Sequence, residues 1–218
     1  EWLETVRIKV KQSTYAKYFD NVKKHILPSF QDVRTNHINI PLLNQFVKEE
    51  YEHGRLDGRG GLSSKTIHDI VSLLIQILQY GEAKGVVHSM NYHTLSLPKL
   101  SPKELKLLTV QEQSQLEHYI ELCPNLEQLG VSLVLYTGLR IGELCALTWK
   151  DIDTEQGILK VTKTLQRIKD VDENSPFKTK IIIDTPKSKN SVREIPIPSF
   201  LLESLKKEKN AIQLMLSF

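Results

Sequence analysis

The chain has 218 residues, of which 40% are apolar and 25% charged, and its formal net charge is +3. This composition is typical of a soluble globular protein, and the length suits one large domain or two modest ones. No apolar stretch approaches the roughly 20 residues that would span a bilayer, and the net charge is too small for a protein that binds nucleic acid through charge alone. Nucleic-acid binding would need a local arrangement of charge on one face.

The first ninety residues predict a small all-helical domain. Helix caps and apolar residues at helical spacing indicate three main helices, over residues 13–26, 41–52 and 64–84. Pro28 is expected to end the first of them. Four glycines between Gly54 and Gly61 predict a loop before the third.

Residues 91–108 show weak periodicity and predict a linker. Thr109 and Glu112 then match a capping box, which predicts a second domain over residues 109–218. The elements predicted in it are helices over 126–136 and 140–147, strands at 158–162, 181–184 and 193–196, and a last helix from Ser199. The polar stretch from Gln166 to Lys178 is expected to be an exposed connection. The fold class expected is an α-helical N-terminal domain followed by a mixed α+β domain, mainly helical with a small antiparallel sheet.

The chain contains two cysteines and seven histidines. Cys123 and Cys145 lie among apolar neighbours, which predicts buried free thiols in a reducing cytoplasm rather than a disulfide or a metal site. The histidines show no spacing typical of metal ligands, so we expect surface or packing roles for them.

The most informative run lies between Tyr136 and Asp153. Gly138 allows a sharp turn, and Arg140 is expected in the first turn of the helix that follows, where the helix dipole also favours an anion. The arginine fork fits two phosphate oxygens at once. Glu143 is expected on the same helix face, where it would hold Arg140 or bond a neighbouring backbone group. On this local pattern, a phosphate site and an ordinary surface Arg–Glu pair are equally open.

The whole run from Thr137 to Asp153, T-G-L-R-x-x-E-L-x-x-L-x-W-x-D-I-D, resembles the first arginine box of the tyrosine recombinases. It is most similar to the integrases of phages and conjugative transposons. The segment 185–198, T-P-K-S-K-N-S-V-R-E-I-P-I-P, is similar to the β-hairpin that carries the catalytic lysine of this family. Lys187 is the favoured lysine and Lys189 the second choice, since the length of this hairpin varies by a residue.

The N-terminal residues also resemble this family. Trp2, Pro28 and the run G-L-S-S-K-T-I from Gly61 to Ile67 are similar to its helical, SAM-like core-binding domain. The resemblance assigns residues 1–90 to the core DNA-binding domain, 91–108 to a linker and 109–218 to the N-terminal part of the catalytic domain.

In this family a tyrosine attacks a DNA phosphate and forms a 3′-phosphotyrosyl link, and no metal or nucleotide cofactor is used. Arginines stabilise the charge that builds on the phosphate, and a lysine is the general acid for the leaving oxygen. The resemblance implies that Arg140 is the first catalytic arginine, that Glu143 supports it, and that Lys187 or Lys189 is the acid.

The family clamps double-stranded DNA between its two domains. The resemblance therefore implies that DNA contacts come from basic residues on this chain, and the residues expected to make them are Lys9, Lys11, Lys17, Lys65 and Arg193. Such contacts give an affinity that falls steeply with salt. The full-length protein is expected to form a tetramer on DNA, and this chain a monomer in solution. The resemblance further implies a cytoplasmic protein of a bacterial or phage-encoded mobile element.

Half of the family's catalytic set is missing from these 218 residues. All seven histidines and all seven tyrosines precede Arg140, whereas the family places a His-x-x-Arg box and the nucleophilic tyrosine after it. The chain alone is therefore expected to bind DNA without cleaving it. Two interpretations stay open, a tyrosine recombinase truncated before that box and a natural non-catalytic DNA-binding protein on the same scaffold.

Overall fold

The structure is a computed structural model that describes residues 1–102, 104–122, 125–172, 174–186 and 191–215. The chain forms two compact units. The first comprises Glu1–Glu104 together with Lys169–Lys178, and the second comprises Leu105–Ile168 together with the chain from Thr179 onward.

The first unit is helical. Its helices are α1 (Trp2–Arg7), α2 (Gln12–Asn21), α3 (Leu27–Phe30), α4 (Ile40–His53) and α5 (Ser64–Ala83). Two of these begin at side-chain caps, because Asn39 Oδ1 accepts the Leu42 N–H at 2.9 Å and Ser63 Oγ accepts the Thr66 N–H at 3.2 Å. Their apolar faces form one core whose most buried members are Leu43, Ile67, Ile70 and Leu73.

The prediction that Pro28 ends the first helix is wrong. After α2 the chain makes a π-helical turn over Val22–Ile26 and continues helically through Pro28 to Phe30. In a regular helix the proline ring would collide with the carbonyl four residues earlier. The wider π turn relieves that collision, and Pro28 lies in the first turn of α3, where a missing N–H costs little.

A buried polar pair lies inside the first unit. His25 Nδ1, in the π turn, lies 2.8 Å from Glu50 Oε2 on α4, and both side chains are only 10% exposed. Burial raises the pKa of Glu50, although the neighbouring His25 acts in the opposite direction. The pair joins α4 to the π turn.

The second unit combines helices with two small sheets. Its helices are α6 (Val110–Leu122), α7 (Leu126–Thr137), α8 (Ile141–Ala146) and α9 (Ser199–Met215). Its strands are β1 (Ile152–Asp153), β2 (Ile158–Val161), β3 (Thr164–Lys169, of which the last residue belongs to the first unit), β4 (Thr179–Asp184) and β5 (Arg193–Pro196). The capping box predicted at α6 is present, because the Thr109 N–H donates to Glu112 Oε2 at 2.8 Å and the Glu112 N–H donates to Thr109 Oγ1 at 3.2 Å.

The larger sheet has the order β1-β2-β5, and both pairings are antiparallel. Leu159 lies opposite Ile195, and Val161 lies opposite Arg193. The inward face of β2 carries Leu159 and Val161, which are almost fully buried with Leu133 of α7 and Leu205 of α9. This core fixes β5 relative to the helices.

The smaller sheet pairs β3 with β4. It corrects the prediction that residues 166–178 form an exposed connection, because residues 166–169 belong to β3. Leu165 and Ile168 are three residues apart, so the segment lacks the alternation that marks a strand. The pairing partner β4 provides the hydrogen bonds that the pattern does not predict.

The observed architecture confirms the predicted fold class, a helical N-terminal domain followed by a mainly helical unit with a small antiparallel sheet. Cys145 is a free thiol, as predicted, but it is exposed and not buried, because it lies on the outer face of α8. Cys123 lies outside the described residues. Within the described ranges, no helix is both long and apolar enough to cross a membrane.

Candidate active site

A glycine turn places Arg140. α7 ends at Gly138, whose φ of 65° is left-handed and whose N–H donates to the Val134 carbonyl at 3.0 Å. Leu139 is then buried in the core of the second unit. Arg140 has extended backbone angles and is the N-cap residue of α8, one position before the first helical turn in which it was expected. α8 has six residues, so the guanidinium rather than the helix end provides the positive charge.

Glu143 holds Arg140 in two ways. The Arg140 N–H donates to Glu143 Oε2 at 3.0 Å, and Arg140 Nη1 donates to Glu143 Oε1 at 2.9 Å. Both roles expected of Glu143, holding the side chain and bonding a neighbouring backbone group, are thus present together. The Glu143 side chain is 4% exposed whereas that of Arg140 is 70% exposed. The carboxylate is therefore a buried anchor for a guanidinium that faces outward.

A second arginine reaches the same carboxylate from β5. Arg193 Nη2 donates to Glu143 Oε2 at 2.9 Å, and Arg193 Nη1 donates to Glu143 Oε1 at 3.2 Å. These hydrogen bonds are the main cause that lowers the pKa of Glu143 to about 2, and they outweigh the burial, which raises it. Glu143 in turn raises the pKa of Arg193. A carboxylate that is ionised at neutral pH thus lies between two guanidiniums, which leaves one excess positive charge.

The close approach of α8 to β3 helps to fix this cluster. A Cβ atom on Gly142 would lie 2.5 Å from Thr164 Oγ1 and 2.9 Å from the Leu165 carbonyl oxygen. Only glycine leaves room for the strand at this point. Glu143 follows directly, so the packing of α8 on β3 determines where its carboxylate lies.

The other predicted site residues lie elsewhere or outside the described residues. Lys187 and Lys189 lie outside them. Lys9 and Lys11 are exposed in the first unit, near the start of the chain. Lys17 on α2 and Lys65 on α5 are brought together, because their Nζ atoms lie 2.7 Å and 2.8 Å from the two carboxylate oxygens of Asp69.

Sequence reasoning missed two features of these clusters. Arg193 was expected to contact DNA, and its bonds to Glu143 were not foreseen because the two residues are fifty positions apart. The partnership of Asp69 with Lys65 has a sequence signal, the i,i+4 spacing on one helix face. Among the described residues, no group of three or more His, Cys, Asp or Glu side chains is arranged to hold a metal ion.

Comparison with known proteins places the chain in a family. Residues 106–211 match the phage integrase family, and residues 1–50 match the phage integrase N-terminal SAM-like domain. The chain is 29% identical over 215 residues to a tyrosine recombinase XerC-like protein of Caldanaerobacter subterraneus subsp. tengcongensis, which covers 96% of the chain. It is 27% identical over 214 residues to the ICEBs1 integrase of Bacillus subtilis, again over 96% of the chain. The chain belongs to the phage integrase family of tyrosine recombinases.

The family resemblance stated from the arginine box is thus confirmed. The chain spans about half the length of these relatives, 53% of each. Solved integrase structures share its fold. The Tn1549 transposon integrase in complex with transposon right end DNA has a TM-score of 0.67 at 21% identity, over 95% of the present chain and 63% of the solved chain. A lambda integrase dimer bound to a COC' core site has a TM-score of 0.58 at 19% identity, over 84% of the chain and 59% of that integrase.

Proposed function

We propose that the chain binds duplex DNA as part of a site-specific recombinase, and that Arg140 binds the backbone phosphate at which strands are exchanged. The observation that carries this proposal is the Arg140 side chain, 70% exposed and anchored along one edge by a buried carboxylate. An outward guanidinium fixed in this way is suited to phosphate oxygens. The fold shared with integrases solved in complex with DNA supports the proposal.

The chemistry proposed for Arg140 is electrostatic. During phosphoryl transfer, negative charge on the non-bridging oxygens is stabilised by donors that are already in place. Because Glu143 stays ionised at neutral pH, it keeps Arg140 oriented before DNA arrives. Lys187, or Lys189 as the second choice, is proposed as the general acid for the leaving oxygen, and this role rests on the family resemblance.

We propose that these 218 residues bind DNA but do not cleave it. Tyr136 is the tyrosine nearest to Arg140 in the sequence, and its hydroxyl donates to Glu117 at 2.7 Å while its ring packs edge-on against Phe200. The hydrogen bond to Glu117 raises the pKa of Tyr136, which lowers the fraction of the phenolate form at neutral pH. Incubation with a nicked suicide duplex should give no covalent adduct in a denaturing gel, and an adduct that maps to any tyrosine would overturn the proposal.

DNA binding is tested by fluorescence anisotropy with a labelled duplex of mixed sequence, titrated at several salt concentrations. Each phosphate contact adds about 0.9 to the slope of log affinity against log salt. Arg140→Gln should weaken binding and reduce that slope by about 0.9. Arg167→Gln is the matched control, since Arg167 is an exposed arginine of β3 in the same unit. Salt-independent binding, or equal losses in both variants, would contradict the role of Arg140.

For the assembly, we propose a monomer in solution and a tetramer of the full-length protein on DNA. Multi-angle light scattering of the 218-residue chain, without DNA, should give the mass of one 25.0 kDa chain. A stable dimer in that measurement would contradict the monomer.

A further inference from the structure

The strand register directs Arg193 toward the interior of the second unit. On an antiparallel pair, directly opposite residues share one face of the sheet. Arg193 lies opposite Val161, which is 1% exposed, whereas the next residue Glu194 lies opposite Lys160 and pairs with it at 3.2 Å on the outer face. The Arg193 side chain is accordingly only 28% exposed. This placement suits an internal partner better than a DNA phosphate.

The hydrogen bonds of Arg193 lead to Arg140. Its two Nη atoms bond both oxygens of Glu143, and those same oxygens accept the Arg140 N–H and Nη1. A carboxylate held by a two-point fork has a fixed plane, so the direction in which it presents its remaining lone pairs is fixed as well. Those lone pairs determine where the Arg140 guanidinium lies.

Arg193 also bonds the chain that leads into β5. Its Nη1 donates to the Ser191 carbonyl at 3.1 Å. Ser191 directly follows the segment 187–190, which contains both candidate lysines. One side chain thus bonds both the carboxylate that anchors Arg140 and the carbonyl of Ser191.

We propose that Arg193 is a positioning residue, which acts through Glu143 to orient Arg140 and does not itself contact DNA. This role rests on the proposed function, because the orientation of Arg140 matters for DNA binding only if Arg140 binds a phosphate. The orientation of Arg140 is nevertheless a property of the DNA-free chain, so it can be measured separately.

The first experiment uses nitrogen-15 NMR of the DNA-free 218-residue chain, with the Arg140 guanidinium signal assigned by its loss in Arg140→Lys. Hindered rotation of this guanidinium is expected in the wild type and should be lost in Arg193→Ala and in Arg193→Lys, because lysine keeps the charge but not the fork. Arg167→Lys is the control and should leave the signal unchanged. If Arg193→Ala does not fold, Arg193→Lys decides. Wild-type hindrance retained in Arg193→Lys would overturn the proposal.

The second experiment is a double-mutant cycle on DNA affinity, measured by anisotropy with the same mixed-sequence duplex. Arg193→Lys should weaken binding at least about threefold in the wild-type background. It should have no effect in the Arg140→Gln background, because Arg193 acts only through Arg140. Additive losses would mean that Arg193 contacts DNA directly and would overturn the positioning role. If the wild type shows no salt-dependent DNA binding, the proposed function fails, while the NMR experiment still decides the role of Arg193.

Discussion

Among the described residues, each unit buries one glutamate, and the pKa values of the two carboxylates shift in opposite directions. Glu50 of the first unit faces a single histidine, and its burial raises its pKa. Glu143 of the second unit is buried at least as deeply, yet two arginines lower its pKa to about 2. Burial alone therefore does not decide the direction in which the pKa of a glutamate shifts. The number and permanence of its cationic partners decide it, because an arginine stays charged and a histidine does not.

The largest expected effect comes from removing the charge of Glu143. Glu143→Gln should lower the free energy of unfolding of the second unit by about 3 kcal/mol, because it leaves the half-buried Arg193 without a counter-charge. Glu50→Gln should cost the first unit only about 1 kcal/mol, since an amide can still bond His25.

The two tryptophans allow each unit to be measured separately. Trp2 packs on the core of the first unit and Trp149 on that of the second. Urea unfolding followed by fluorescence in Trp149→Phe and Trp2→Phe backgrounds reports them one at a time. Glu194→Gln, which removes a charge from an exposed pair, should change stability by less than about 0.5 kcal/mol. Equal losses in the free energy of unfolding for Glu50→Gln and Glu143→Gln would contradict the difference proposed between the two glutamates.

Acid should affect the stability of the two units differently. The folded-state pKa of Glu143 is about 2 against an ordinary 4.5, so its stabilising contribution is complete above pH 4.5 and is lost as the pH falls toward 2. The folded-state pKa of Glu50 is raised, so its linked stability is present at acid pH and is lost as the pH rises through that pKa. Acidification below pH 4.5 should therefore lower the stability of the second unit through the protonation of Glu143. Protonation of Glu50 should not lower the stability of the first unit.

The measurement is urea unfolding of both single-tryptophan proteins across this acid range. The Glu143→Gln variant should show a flatter acid dependence in the second unit than the wild type. An identical acid dependence in variant and wild type would show that Glu143 does not titrate in the way that its two arginines require.

The packing of α8 on β3 offers a way to disturb Glu143 without changing a charge. Gly142→Ala would place a methyl group 2.5 Å from Thr164 Oγ1, which should destabilise the second unit by about 2 kcal/mol through overpacking. Gly130→Ala is the matched control on α7, where the nearest atom would lie 3.6 Å away. It should stabilise by up to about 1 kcal/mol, the usual gain of alanine over glycine in a helix. A neutral Gly142→Ala would show that α8 can shift without cost.

Local pattern predicted the parts of the site that lie close together in the sequence. Gly138, Arg140 and Glu143 lie within six positions, and helical spacing was enough to bring the last two together. The bond between Arg193 and Glu143 depends instead on the pairing of β5 with β2, which no spacing along the chain encodes. A weak signal existed, because strand alternation places Arg193 on the same face as the inward residue Ile195.

In the fold as well, features set by neighbouring residues were predicted and features set by distant partners were not. The capped helices α4 and α5 were predicted closely, because caps and apolar stripes are local signals. The strand β3 was missed, since it pairs with β4 within the described residues and its two apolar residues do not alternate. The helix across Pro28 was missed because the π turn that accommodates the proline is not visible in a pattern of period 3.6.

A third carboxylate, that of Asp69, is partly exposed where the other two are buried, and it gives the smallest expected change in stability. Asp69 pairs with Lys17 and Lys65, and the hydrogen bond from Lys17 is the largest cause that lowers its pKa. Asp69→Asn should change stability by less than about 0.5 kcal/mol, as exposed pairs do. If both lysines contact phosphates, however, losing the competing carboxylate should raise DNA affinity at low salt and steepen the salt slope by up to about 0.9.

Asp57→Asn is the control, because Asp57 pairs with Arg55 in a loop of the same unit and its loss changes the net charge equally. Anisotropy titrations of both variants should therefore differ in slope although the two proteins carry the same charge. Identical slopes would mean that Asp69 acts only through net charge and that the Lys17–Lys65 pair is not a phosphate contact. A carboxylate between two cations would then stabilise a site when buried, as at Glu143, and have no specific role when exposed.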